Sequence, residues 1–214
     1  SLSSRLMKRI MDPLKLMGAE FDNISGKLPL KIIGKELKSS KITIDIPSAQ
    51  IKSGLILAAL NTDGFTSIIE TNITRDHTEN MLGSFGANID VYKKETQTII
   101  NIKGKQELSS NNIDVPSDLS SSAFFIVAAL INKGSKISMV NININPSRNG
   151  ILKALKKMGA RINIKNHRNI SGEIVADIDV EYSDLNGCEL EPEIAKLMID
   201  EYPIMSIAAA FANS

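Results

Sequence analysis

Three times in this chain an apolar residue closing a helix-like stretch is followed by Gly-Ala and then by alternating apolar and polar residues. The three sites are Met17-Gly18-Ala19-Glu20-Phe21, Phe85-Gly86-Ala87-Asn88-Ile89 and Met158-Gly159-Ala160-Arg161-Ile162. The glycines recur at intervals of about 70 residues, longer than the ~20–50 residues of common solenoid repeats. A glycine at such a point suits the left-handed residue that ends a helix, and the alternation beyond it suits a half-buried strand. A second marker has the same period, since Ile46-Pro47-Ser48 returns as Val115-Pro116-Ser117. The chain is therefore expected to consist of repeated supersecondary units packed into globular domains.

Within that frame the spacing of Leu6, Ile10, Leu14 and Met17 predicts an amphipathic helix over residues 2–16, bent or restarted at Pro13. Alternation predicts strands over 19–24 and 28–33. Ser48 can cap a nearly all-apolar helix over 50–60, which should be buried on most sides. A strand over 65–70, a helix over 76–85 and strands over 87–91 and 98–103 complete that unit. The next unit has an apolar helix over 123–131, a strand over 136–140, a helix over 148–158 and strands over 160–164 and 173–180; a third apolar helix starts at 204. The pattern suggests βαβαββ units in an α/β (α+β) fold whose sheets face solvent and whose apolar helices meet inside. Residues 1–116 then form part of a first domain, one partial and one full unit. Residues 117–214 open a second, with a tight crossover near Pro116.

Charge limits what the chain can bind. Lys and Arg total 25 against 24 Asp and Glu, and a net charge of +1 gives no global attraction to nucleic acid or an anionic membrane, so any anion site must be local. The single cysteine, Cys188, excludes an intramolecular disulfide and a cysteine-built zinc site and is expected to be a small, partly buried side chain. No apolar run approaches the ~20 residues of a membrane span, and none has the layout of a secretory signal, so the expected location is the cytoplasm.

Three segments place polar groups at helix starts. Pro47-Ser48-Ala49-Gln50-Ile51-Lys52-Ser53 puts a hydroxyl, backbone N–H groups, a carboxamide and a cation at the start of the apolar helix, where anions are favoured. Thr74-Arg75-Asp76-His77-Thr78-Glu79 opens the next helix. Arg75 there opposes the helix dipole, so it either faces an external anion or is a solvated surface arginine. His77 has no second ligand at metal spacing. In Ile199-Asp200-Glu201-Tyr202-Pro203, Asp200 could cap the third apolar helix or, if enclosed, act as a general base. No glycine-rich phosphate loop, His-Glu-x-x-His, nucleophile elbow or aromatic-rich basic patch occurs.

Taken together, Ser48 to Ser53, Thr74 to Glu79 and Asp200-Glu201-Tyr202-Pro203 closely resemble the 5-enolpyruvylshikimate-3-phosphate synthase family. The similarity covers essentially the whole chain and extends to Arg5, to Ile144-Asn145-Pro146-Ser147-Arg148 and to Gly172-Glu173-Ile174-Val175-Ala176-Asp177. The resemblance implies a cytoplasmic transferase of the shikimate pathway that joins the enolpyruvyl group of phosphoenolpyruvate to the 5-hydroxyl of shikimate 3-phosphate and releases phosphate. It implies no metal and no organic cofactor, and a full-length monomer. It also implies an inside-out, enolpyruvyl transferase-like architecture: two domains, each of three βαβαββ units, closing over the substrates. Carried over by position, Ser48, Ala49 and Gln50 hold shikimate 3-phosphate, with Gln50 also near phosphoenolpyruvate. Arg75 pairs with the shikimate phosphate, Arg5 binds phosphoenolpyruvate, and Asp200 takes the 5-hydroxyl proton.

The chain departs from the family at Leu6, where proline is usual, and at Ser117, where glycine is frequent. An amino-terminal Lys-Ser pair with its following arginine and a Lys-Glu-x-Asp-Arg-type segment have no counterpart. The expectation is therefore an incomplete piece of such an enzyme, inactive or nearly so alone. The UDP-N-acetylglucosamine enolpyruvyl transferases share the architecture, but their sugar-nucleotide site does not predict the motifs at Ser48 and Thr74. A catalytically silent, repeat-built scaffold predicts no polar motifs at successive helix starts.

Overall fold

In the computed structural model, which describes residues 2–22, 25–94 and 97–213, all three repeat glycines occupy the left-handed region, with φ of 97° at Gly18, 75° at Gly86 and 91° at Gly159. Each closes its helix with the same pair of bonds. The alanine amide donates to the carbonyl five residues back, Ala19 to Leu14 at 3.1 Å, Ala87 to Leu82 at 3.0 Å and Ala160 to Leu155 at 3.0 Å. The glycine amide donates three residues back, to Lys15, Gly83 and Lys156. These bonds satisfy the last helical carbonyls, and only glycine takes the required φ without strain.

The chain divides into two compact units between Asn111 and Asn112, each with its own core. The amino-terminal unit begins with a 3-10 turn, Leu2–Ser4, then α1, Lys8–Leu16, and an antiparallel pair of short strands, β1 (Glu20–Asp22) and β2 (Lys31–Ile33). The helix predicted over 2–16 is thus broken at residues 5–7. There the Met7 amide donates to the Gly26 carbonyl at 2.7 Å, while Pro13 lies inside α1 without restarting it. The predicted strand end at Ile24 lies outside the described residues.

The main sheet of this unit contains β3 (Lys41–Ile44), β4 (Phe65–Glu70), β5 (Ile89–Lys93) and β6 (Thr98–Lys103) in the order β3-β4-β6-β5. Helix α2, Ala49–Ala59, joins the parallel pair β3 and β4, and α3, His77–Ser84, precedes the antiparallel β5 and β6. This is a βαβαββ unit. Strand periodicity puts Ile42, Ile44, Ile68, Ile100 and Ile102 on the covered face with Ile51, Leu55 and Ile56 of α2. Complete burial of each contributes about 1.5–3 kcal/mol.

The carboxy-terminal unit repeats the plan with α4 (Leu119–Ile131), β7 (Lys136–Asn143), α5 (Gly150–Lys157), β8 (Arg161–Ile170) and β9 (Glu173–Glu181). Its antiparallel sheet has the order β7-β9-β8. The leading strand shrinks to one parallel bridge: the Ser117 amide donates to Asn141 and its carbonyl accepts from Asn143, both at 2.9 Å. The short α6 (Pro192–Lys196), a 3-10 turn (Ile199–Glu201) and α7 (Tyr202–Ala210) follow. Helix α4 begins a turn earlier than predicted, because the Asp118 side chain caps it.

Helix α2 is buried on most sides, as expected, with α1 as well as the sheet packed against it, so that only Gln50 and Leu57 of its residues are exposed. Helix α4 keeps one exposed face, on which Phe124 and Phe125 stand. Cys188, expected to be partly buried, is exposed in the loop after β9. Among the described residues no helix is long and apolar enough to cross a membrane.

Candidate functional site

Ser48 is the N-cap of α2, with extended backbone (φ −159°, ψ 113°), and its Oγ accepts from the Ile51 amide at 3.4 Å. Ser48 and Ala49 are half-buried and Gln50 is exposed, so all three present polar groups at an accessible helix start. Lys52 behaves differently. It is 1 % exposed, and its ammonium donates to Glu79 Oε1 at 2.9 Å, Glu70 Oε2 at 3.3 Å and the Thr74 carbonyl at 3.4 Å. Three protons meet three acceptors, so the cation in the segment expected to bind an external anion is engaged inside the protein. Sequence alone cannot show this, because the partners lie on β4 and α3.

The loop between β4 and α3 carries Arg75, exposed, one residue before the N-cap position of α3. Thr74 is fixed at each of its polar groups: amide and hydroxyl donate to Glu70 Oε1, the amide at 3.0 Å, and the carbonyl accepts from Lys52. The hydroxyls of Ser53 and Thr78 lie 2.6 Å apart and tie α2 to α3. Asp76 makes no capping bond; its carboxylate meets Lys93 at 3.2 Å and Asn80 at 3.4 Å. Burial pushes the Glu79 carboxyl above its ordinary pKa, with Lys52 pulling it back. The structure thus places the Ser48–Gln50 turn and the Arg75 loop on two elements joined by buried bonds.

Arg5 is exposed in the break between the first 3-10 turn and α1. Just beyond it, Lys8 and Arg9 line a groove of about 270 Å³ with Asp45, Ile46 and Ile51, which sets two further cations beside the start of α2. Neither residue belongs to one of the three polar helix-start segments. Their signal is a pair of further basic positions, Lys8 and Arg9, soon after Arg5 and ahead of the Ser48 segment.

Asp200 lies in the carboxy-terminal unit, exposed, in the 3-10 turn before α7. The N-cap position of α7 belongs to Glu201, whose own side chain makes no capping bond. Glu201 is 4 % exposed, and its Oε1 accepts from the Ser120 hydroxyl on α4. Ser120 in turn accepts from Arg148 Nη2 at 2.6 Å, and the same guanidinium pairs with Asp118 at 3.2 Å. The Asp118 carboxylate also accepts from the amide and hydroxyl of Ser121 at 2.8 and 2.9 Å. Burial alone would raise its pKa, but the Ser121 bonds and Arg148 outweigh that and hold it below the ordinary value. The Asp200 turn is therefore tied to the start of α4 through its neighbour. Among the described residues no group of three His, Cys, Asp or Glu side chains is arranged to hold a metal ion.

Comparison with known proteins decides the family. The family model described as EPSP synthase (3-phosphoshikimate 1-carboxyvinyltransferase) matches residues 1–214. The chain belongs to the EPSP synthase family. Proteins named 3-phosphoshikimate 1-carboxyvinyltransferase from Roseobacter denitrificans and Mesorhizobium japonicum are 45% and 46% identical to it, in each case over 100% of this chain and 48% of the relative. A solved EPSP synthase from Acinetobacter baumannii superposes with a TM-score of 0.89 at 42% identity, covering 100% of this chain and 49% of that one. The enolpyruvyl transferase NikO from Streptomyces tendae, 16% identical with a TM-score of 0.72, shares the fold. The chain spans about half the length of the curated relatives it matches. The expected enolpyruvyl transferase-like α/β fold of repeated units is what these likenesses support; the sugar-nucleotide and silent-scaffold alternatives are not favoured.

Proposed function

We propose that the protein carrying these residues is a transferase of aromatic amino-acid biosynthesis, with shikimate 3-phosphate and phosphoenolpyruvate as substrates. The 5-hydroxyl oxygen of shikimate 3-phosphate adds to the phosphate-bearing carbon of phosphoenolpyruvate as a proton adds to the methylene carbon. The tetrahedral adduct then loses a proton from that methyl group and expels inorganic phosphate, which restores the double bond and leaves the enolpyruvyl ether. The observation that carries this reading is 45% identity along the entire chain to relatives named for that activity.

In this reading the amide groups and hydroxyl at the start of α2 (Ser48, Ala49) and the Gln50 carboxamide hold shikimate 3-phosphate, Gln50 also lying near phosphoenolpyruvate. Arg75 pairs with the shikimate phosphate and Arg5 with phosphoenolpyruvate. Guanidinium forks suit both anions through bidentate, charge-assisted bonds. Asp200 takes the 5-hydroxyl proton as the adduct forms, which needs its carboxylate within hydrogen-bond reach of that hydroxyl. The reaction runs in the cytoplasm, on a monomer of two domains that change over near Pro116, without metal or organic cofactor.

Phosphate release from the full-length product in the presence of both substrates tests the assignment. Turnover that needs both compounds and falls at least about 100-fold in Asp200→Asn supports it. Turnover with UDP-N-acetylglucosamine in place of shikimate 3-phosphate, or an undiminished rate in Asp200→Asn, contradicts it.

A further inference from the structure

The Lys52–Glu70–Glu79 cluster places three ionisable groups, 1 %, 2 % and 5 % exposed, in the interior of the amino-terminal unit. Such a cluster is a poor source of stability, because taking the charges out of water offsets most of their attraction and apolar side chains of similar volume serve as well. What it supplies is geometry. Its members come from three elements, Lys52 from α2, Glu70 from the end of β4 and Glu79 from α3; Lys52 and Glu70 both bond Thr74, while Glu79 holds Lys52.

Both oxygens of Glu70 are used. Oε2 accepts from Lys52, while Oε1 accepts from the amide and hydroxyl of Thr74. Lys52 holds the Thr74 carbonyl. Every hydrogen-bonding group of Thr74 is thereby committed to the cluster, and the next residue is Arg75. The position four residues into α2 is thus bonded directly to the residue that precedes Arg75. Glu79 Oε2 is buried without a hydrogen-bond partner among the described residues. The cluster therefore carries an unmet acceptor on the α3 side, which an arrangement selected for stability alone would not keep.

We propose that Lys52, Glu70 and Thr74 are positioning residues that set the direction of Arg75 relative to the start of α2, so that both elements meet one phosphate group. The proposal rests on the reading of Arg75 as the partner of the shikimate phosphate. It adds that the spacing between the Arg75 loop and the Ser48–Gln50 turn is fixed from behind by a buried ionic clamp that touches no substrate.

The test compares binding of shikimate 3-phosphate with binding of shikimate, which lacks the phosphate, by the full-length product carrying Thr74→Val, Glu70→Gln or Arg75→Ala. Displacing the clamp should weaken shikimate 3-phosphate by about tenfold and shikimate by less than about twofold. Neither clamp variant should cost anything further on an Arg75→Ala background. A merely structural role predicts equal losses for the two ligands, or losses that add to that of Arg75→Ala, and either result overturns the proposal. Unfolding midpoints identify any variant that fails to fold. Thr74→Val, which removes one hydroxyl and no buried charge, carries the decision if Glu70→Gln does not fold. If Arg75→Ala itself fails to distinguish the two ligands, the phosphate-binding reading falls, and the positioning role with it.

Discussion

The two units solve the same problem with different chemistry. In each, a helix follows the leading strand or bridge (α2, α4), and an arginine stands immediately before the N-cap position of the next helix: Arg75 before Asp76, Arg148 before Asn149. In the carboxy-terminal unit the residue capping α4 is Asp118, and its carboxylate pairs with Arg148. In the amino-terminal unit the cap of α2 is the neutral Ser48. Where the second unit brings its own anion to the helix start, the first offers a hydroxyl and amide groups. An internal carboxylate thus occupies the kind of place that a bound phosphate is proposed to take in the first unit.

The loops that carry these arginines differ as well. The inward position four residues after the cap is Lys52 in one unit and Ser122 in the other; Ser122 donates back to the Asp118 carbonyl at 2.8 Å. The loop before α5 is held by side-chain amides. Asn143 accepts from the Asn145 amide at 2.9 Å, Asn145 accepts from the amide and hydroxyl of Ser147, and both asparagines donate to Glu173. The loop before α3 is held instead by buried charges. Removing one neutral asparagine from the loop before α5 leaves the Glu173 carboxylate another donor, whereas removing Lys52 takes the cation from Glu70 and Glu79, and a stranded charge costs more than a stranded dipole.

The sharpest way to break this comparison is to remove the inward residue of each helix. Lys52→Met strands two buried carboxylates and should destabilise the protein by about 3–5 kcal/mol in denaturant unfolding. Ser122→Ala should cost about 1 kcal/mol. Equal costs would mean that the charge on Lys52 has no structural consequence. Next in size, Asn145→Ala removes the bonds to Ser147 and a donor to Glu173, for about 2 kcal/mol, and leaves Glu173 still bonded to Asn143.

The caps give a smaller contrast. Asp118→Ala should cost about 1–2 kcal/mol and Ser48→Ala about 0.5 kcal/mol. The Asp118 carboxylate accepts at 2.8 Å, whereas the Ser48 hydroxyl accepts at 3.4 Å. A larger cost at Ser48 would make it a structural cap first.

Acid titration should give the smallest effects, of opposite sign in the two units. The Glu79 pKa is raised on folding by burial, so the folded state takes up a proton there. The local stability of α2 and α3 is then greatest below the ordinary glutamate value of 4.5, declines as pH rises through the folded value, and loses this dependence in Glu79→Gln. Asp118 is lowered on folding, so its contribution to α4 is present above its ordinary value of 3.8 and is lost as pH falls through the folded one. Amide hydrogen exchange of α2 and α4 across the carboxylate range reads both; the same sign in both helices would contradict the assignment of causes.

Much of this architecture was legible in the residues. The Gly-Ala signal located all three helix ends because it has one physical meaning, a left-handed cap, and β4 and β6 were read with their exact bounds from alternation at 65–70 and 98–103. The failures have physical causes. Strand β3, four residues of Lys-Ile-Thr-Ile, is too short to stand out until its parallel pairing with β4 is known. The break at residues 5–7 depends on a bond from Met7 to Gly26, which no local pattern encodes. At the site, polar residues at helix starts flagged Ser48, Gln50, Arg75 and Asp200. Pattern could not tell an outward cation from an inward one, because Lys52 and Arg75 look alike until Glu70 and Glu79 are folded around the first.

On the proposed reading, the start of α2 and the Arg75 loop form a phosphate site, whereas the corresponding helix start of the other unit is met by its own carboxylate, Asp118. Calorimetric titration of shikimate 3-phosphate into the full-length product with Arg75→Ala, and into the same protein with Arg148→Ala, tests it most directly. Arg75→Ala is expected to weaken binding by about 100-fold and Arg148→Ala to change it by no more than about threefold. Equal losses from the two substitutions, or none from Arg75→Ala, would contradict it.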